Sequence, residues 1–322
     1  MPRLRLCLLW HMHQPMYRDP ESGEYILPWV RLHATRAYYD MARVLAEFEG
    51  ARAVVNLVPS LLWQLDDYVQ GRAKDRFLDL TRKPAAELSP SEREFLLRNF
   101  FQVDWETAVR PIPRYWELLH KRGRDLRGID LSKVSFTVAE LRDLQVLFNL
   151  QWMGFRATEE EALIPALRAK GRDFSEDEKL ALLDVQHKIL SQVMPAFAEV
   201  ARSGQAELTV TPFYHPILPL LIDSDSARRA MPQATLPRRF TWPEDAQVQV
   251  RRALDFAEQH LHTRPEGMWP AEGSVSPEAL ATCRAHHIEP IVGGCPMMYC
   301  GSVDIFHTCM RWWLRSSGKV PG

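Results

Sequence analysis

Leu4-Arg5-Leu6-Cys7-Leu8-Leu9-Trp10 and Ala53-Val54-Val55-Asn56-Leu57 are short, largely apolar runs of strand length, and what lies between them decides the fold class. A turn-rich stretch follows the first run, through Pro15, Pro20, Gly23 and Pro28. A helical apolar pattern then spans about Leu32 to Phe48, and Pro59 closes the second run. Strand, helix, strand in that order predicts a parallel α/β unit. Beyond it the pattern turns helical. Ser89-Pro90-Ser91-Glu92 offers an N-cap, a proline at the first helical position and an acid at the third. Thr158 with Glu161 and Ser175 with Glu178 repeat the capping-box spacing, and a long helix is expected from Glu176 to Ala201, stopping near Gly204. Residues 60–203 therefore read as a helical insertion, too long for an ordinary connection between barrel strands. Strand logic returns at Ala206 to Thr211, closed by Pro212, and at Glu266 to Trp269. Helices are expected from Glu244 to Leu261 and from Pro277, capped by Ser276, with a further strand from Ile288 to Val292.

The chain has 322 residues, 46% hydrophobic and 25% charged, a balance that supports a sizeable core. Forty basic residues against 41 acidic ones leave a net charge of −1, which gives no pull toward nucleic acid or anionic lipid. No segment is long enough to cross a membrane. Met1-Pro2-Arg3-Leu4-Arg5 mimics the basic start of a signal peptide, but the apolar run after it is short and ends at His11. A cytoplasmic protein is expected. The five cysteines agree: Cys7 stands alone and the rest crowd between Cys283 and Cys309, which is no disulfide framework.

Three constellations carry chemistry. The first is His11-Met12-His13-Gln14-Pro15, just after the first strand run. Alternate residues leaving a strand point to one side, so His11 and His13 can face one site at the C-terminal strand ends. The same pair also reads as two turn histidines bonded to backbone, or as ligands of a metal hydrolase. The second is Gly204-Gln205-Ala206-Glu207, continuing to Pro212-Phe213-Tyr214-His215. Glu207 inside an apolar strand pattern needs partners, a site to face, or an exposed edge. His215 follows that strand and falls near the same rim, suited to binding or orienting. The third is Gly267-Met268-Trp269-Pro270-Ala271-Glu272. Sugar hydrolysis uses this pairing, a carboxylate for the anomeric carbon and a flat apolar face for the ring. An exposed loop glutamate beside a core tryptophan is the plainer reading of the third constellation alone.

Together the three resemble glycoside hydrolase family 57. His-x-His-Gln-Pro at 11–15, Gly-Gln-x-Glu at 204–207 and Trp-x-x-Glu at 269–272 are similar to its first three signatures, in order. Leu27-Pro28-Trp29-Val30-Arg31-Leu32-His33, Asn56-Leu57-Val58-Pro59-Ser60-Leu61, Arg142-Asp143-Leu144-Gln145-Val146 and Phe148-Asn149-Leu150 also resemble the family. The resemblance covers about residues 5–288. It implies an α/β fold, an incomplete (β/α)7 barrel with a large helical insertion, retaining chemistry on α-glucans such as starch, glycogen or maltodextrin, and no required cofactor or metal. Glu272 would be the nucleophile. His11 and His13 would bond sugar hydroxyls, Trp269 would pack beside the ring, and Glu207 would hold that layer together.

The resemblance stops before the family's fourth signature, an aspartate acting as acid/base, and residues 289–322 change character. That tail holds three of the five cysteines, Trp312-Trp313 and a single aspartate, Asp304, in a context unlike the family's motif. It reads as an anomalous tail after residues 1–288, the N-terminal part of a catalytic barrel whose C-terminal part is missing. Cys295, Cys300, His307 and Cys309 fit no common zinc spacing. Three alternatives stay open: a metal-dependent hydrolase built on His11 and His13, an inactive glucan-binding fragment, and an unfolded gene fragment.

Overall fold

Four strands form one parallel sheet in chain order: β1 (Leu9–Met12), β2 (Ala53–Leu57), β3 (Ala206–Val210) and β4 (Gly267–Met268). The computed structural model describes residues 8–229, 231–270, 275–288 and 290. Parallel neighbours need crossovers, and helices supply each of them. Trp29–Glu47 joins β1 to β2, eight helices from Pro59–Val69 to Glu176–Arg202 lie between β2 and β3, and Pro243–Leu261 precedes β4. This is the expected α/β architecture, with parallel strands and helices alternating as in barrel folds.

The sheet is covered on one side. Met12, Val55, Leu57, Leu208 and Val210 are buried against helices. The alternate residues face the other way, where Leu9 is 54% exposed and Glu207 is exposed too. The long helix Glu176–Arg202, 27 residues, lies behind the covered face and packs against Tyr39–Glu47, Pro59–Val69, Val138–Leu150 and β3.

Helix starts follow local chemistry. Ser89 and Glu92, and Ser175 and Glu178, close reciprocal capping boxes, as their spacing predicts, and Ser276 caps Pro277–Ala285. Thr137 and Glu140 add a third box. Ser89→Ala is expected to lower stability by about 1 kcal/mol, read as a lower Tm; an unchanged Tm would show that the box is idle.

Three expectations are corrected. Strand β1 carries on past Trp10, because Met12 pairs with Leu57 and is buried, so His11 lies in the strand. Thr158 and Glu161 form no capping box. Helix Phe155–Glu160 starts at Gly154, its first N–H groups donate to the Asp40 carboxylate, and Thr158 donates back to the Gly154 carbonyl. The helix after β1 begins at Trp29 and contains a π turn over Ala34–Tyr38. There the Thr35 carbonyl accepts from the Gly154 N–H at 3.0 Å, so an outside donor takes a group that the regular ladder would use. The strand expected from Ile288 to Val292 falls largely outside the described residues, as does the whole 289–322 tail except Pro290.

The motif segments at 27–33, 142–146 and 148–150 meet inside the helical region rather than at the strand ends. Arg31 is 1% exposed and bonds Asp75, Asn149 and Gln186. Asp75 also accepts from Tyr68 and from the N–H groups of Phe77 and Leu78, capping Arg76–Arg82. Asn149 donates to Thr81, while Gln145 and Lys179 bond each other and the Lys83 carbonyl. Asp143 pairs with Arg114. A charged network this deep is stable only because nearly every donor finds an acceptor.

Candidate active site

The C-terminal ends of β1, β3 and β4 converge on one cluster of rings. The His11 side chain projects from β1 with its imidazole 5.6 Å from that of His13 and 5.2 Å from that of His215, centre to centre. His13 and His215 are 4.9 Å apart. The Trp269 indole lies 4.5 Å from His11 and 6.0 Å from His215. Four of the six residues singled out in the sequence are thus neighbours, although they span positions 11 to 269. Glu207 shares their sheet face but sits two residues before Thr209, one layer further from the strand ends. Its carboxylate makes no hydrogen bond or ion pair among the described residues. Glu272 lies outside the described residues.

Each ring is held by residues that composition alone does not flag. His11 pairs across the sheet with Asn56, which pairs with Thr209. The Asn56 amide donates to the Thr209 hydroxyl at 3.0 Å, so its oxygen is left to accept from His11 Nδ1 at 2.7 Å. The proton therefore resides on Nδ1, and Nε2 keeps a free lone pair. His13 is set by Gln14, a buried residue whose amide donates to Tyr38 and accepts from Tyr17. Gln64, from helix Pro59–Val69, donates to the Pro15 carbonyl and accepts from the Tyr17 N–H, fastening the loop from below. Residues 11–15 alternate outward and inward, which keeps His11 and His13 on the open side.

His215 adopts φ +56°, a left-handed conformation that histidine tolerates better than most residues. The turn before it is pinned by Gln249, whose backbone carbonyl accepts from the Phe213 N–H and whose side chain accepts from the Tyr214 N–H. On β4, Gly267 faces Thr209, and a Cβ there would lie 2.9 Å from the Thr209 methyl. Gly267→Ala is expected to force Thr209 to turn, break its bond to Asn56 and release His11. Shifted or broadened ring resonances of His11 with little change in fold content would follow; unchanged resonances would show that His11 needs no anchor.

The electrostatics favour neutral imidazoles. Burial pushes the His11 pKa down, Asn56 partly offsets this, and His215 adds to the lowering. His13 is lowered by burial first and then by the charges that His215 and His11 would carry. Both rings therefore offer lone pairs at neutral pH. The rim is open, with His11 and His13 exposed and Trp269 39% exposed. A cavity of about 390 Å³ lined by Pro219, Ile222, Asp223, Asp225 and Arg229 does not include these rings.

Neutral donors and acceptors beside an exposed indole are suited to a hydroxylated ring with an apolar face. The three histidines also place a nitrogen each within 4.8 Å of the others. Among solved structures, the α-amylase AmyC of Thermotoga maritima is 14% identical with a TM-score of 0.40; the match covers 88% of this chain and 38% of that one. The family 57 branching enzyme TK1436 of Thermococcus kodakaraensis, solved with glucose, is 15% identical with a TM-score of 0.36, covering 82% and 32%. The chain thus spans well under half the length of these proteins. No curated protein matches. A family model does match, the one described as glycosyl hydrolase family 57, over residues 7–298. That is most of the chain, and this protein belongs to glycosyl hydrolase family 57.

Proposed function

We propose that this chain carries the nucleophile and the sugar-binding wall of a retaining hydrolase or transferase acting on α-glucans such as starch, glycogen or maltodextrin. The supporting observation is the convergence of His11, His13, His215 and Trp269 at the strand ends, with Glu272 three residues after Trp269. In this reading Glu272 attacks the anomeric carbon and forms a covalent glycosyl-enzyme. A second carboxyl group protonates the departing oxygen, then activates water or an acceptor sugar. Retention requires the two carboxyl groups roughly 5–5.5 Å apart. Neutral His11 and His13 accept from sugar hydroxyls, Trp269 packs against the ring, and Glu207 supports the layer beneath. In this reading residues 1–288 contribute to a seven-stranded barrel with residues 60–203 inserted, and the family match, which runs on to residue 298, enters the tail that begins at 289. The odd count of cysteines, four of the five crowded between Cys283 and Cys309, supports a cytoplasmic setting.

A fluorinated α-maltosyl fluoride tests the assignment. Fluoride departs without help from an acid, so trapping depends on the nucleophile alone. The peptide holding Glu272 is expected to gain the mass of the sugar. Labelling of another residue, or no label on protein that binds maltodextrin, would overturn the role of Glu272.

A further inference from the structure

We propose that His11, His13 and His215 form a three-imidazole site for a late first-row divalent cation such as Zn2+, and that the ion and a sugar exclude each other there. The inference rests on the sugar-binding reading only for the second half. The first half stands on geometry.

One nitrogen from each histidine lies within 4.8 Å of the other two. Zn–N bonds of about 2.0–2.1 Å place tetrahedral ligands roughly 3.4 Å apart. Closing the triad thus needs shifts of about 1 Å, within reach of ring rotations at exposed His13 and half-buried His215. Their backbones need not move. Gln14 and Gln64 hold the first loop, and Gln249 holds the turn before His215.

A second observation points the same way. Metal-bound histidines usually donate their other N–H to a fixed acceptor, which sets the tautomer and aims the free nitrogen. His11 already does this: Nδ1 donates to Asn56, Asn56 is oriented by Thr209, and Nε2 is left free. Asn56 is fully buried, so the acceptor is rigid. Trp269 stands over His11 and closes one side with carbon, leaving the remaining coordination position to water.

The donor set determines the ion. Three imidazole nitrogens with no carboxylate in the triad favour zinc, nickel or copper over magnesium or calcium, which prefer oxygen. The lone pairs that would bind the ion are the ones that would accept from sugar hydroxyls. An ion on them therefore removes the sugar's partners.

Calorimetric titration of the whole chain with ZnCl2 and, separately, MgCl2 tests the site. Zinc is expected to bind saturably at one equivalent that disappears in both His13→Ala and His215→Ala, while magnesium does not bind. Any further equivalent that survives both changes lies outside the triad. His262→Asn, a left-handed position away from the triad, should leave the triad equivalent intact. Thermal melts of both alanine variants, expected to stay cooperative, check that they fold. Asn56→Ser should weaken zinc about 10- to 100-fold. Zinc binding that both alanine variants retain, or none in the parent chain, would overturn the site. Maltoheptaose titrated with and without zinc tests exclusion: a weakened apparent sugar affinity is expected, and undiminished sugar binding or zinc-stimulated turnover would overturn it. If the chain binds zinc but no maltoheptaose, the metal site stands and the glucan reading fails.

Discussion

In a chain that also carries the acid/base carboxyl group, Glu272→Gln is expected to cut turnover of α-glucans by about 10⁴-fold or more, the scale on which enzymes lose rate when a covalent nucleophile is removed. Maltodextrin affinity should stay within a few-fold, because the amide keeps the shape of the side chain and the sugar's contacts are assigned to His11, His13 and Trp269. The expected signature is a fall in kcat at nearly constant KM. The variant is also expected to resist labelling by the fluorinated maltosyl fluoride. Activity within tenfold of the parent would remove Glu272 from the chemistry, whatever its neighbours do.

The second large effect concerns stability. Asp75→Ala is expected to destabilise the protein by about 3–5 kcal/mol, because it leaves Arg31 charged, buried and without its carboxylate. The same change uncaps helix Arg76–Arg82 and takes an acceptor from Tyr68. Asp75→Asn keeps the cap but not the charge and should fall between the parent and the alanine variant. Combining Asp75→Asn with Arg31→Met should cost less than the sum of the two single changes, since no lone charge remains. Urea midpoints of the parent and the four variants measure this. A loss below about 1 kcal/mol in Asp75→Ala would mean that solvent reaches Arg31.

Much of this architecture could be read from local chemistry. Ala53–Leu57 and Ala206–Val210 were legible because a parallel strand covered by helices is an apolar run bounded by turns. The Ser89, Ser175 and Ser276 caps were legible because capping is an interaction over three residues. His11 and His13 could be paired from strand alternation, and the motifs linked His215 and Trp269 to them. Asn56 was not legible as the anchor of His11. A single asparagine in Ala-Val-Val-Asn-Leu carries no sign of its partners, which lie 45 and 153 residues away. The roles of Arg31 and Asn149 were hidden for the same reason. Their segments carried only the family resemblance, and their side chains, 118 residues apart in the chain, meet in the helical core. The Thr158–Glu161 spacing misled because Asp40, distant in sequence, had already taken the helix start.

The in-order sheet has a consequence for how the molecule is made. Pairing β2 with β3 joins residues 153 positions apart, as at Asn56 and Thr209. Closing so long a loop costs roughly 2 kcal/mol more entropy than closing one of ten residues, and the ladder returns nothing until it is closed. The intervening helices pack against one another and can gather first, shortening the effective separation. The Asn56–Thr209 bond that aims His11 then belongs to the last stage of assembly. During refolding, helical signal should return before the His11 ring regains its environment, and a competent binding rim would mark the end of folding rather than its beginning. Until that moment the edge of β2 is unpaired, which makes the crowded interval before closure the time when chains most readily join each other instead.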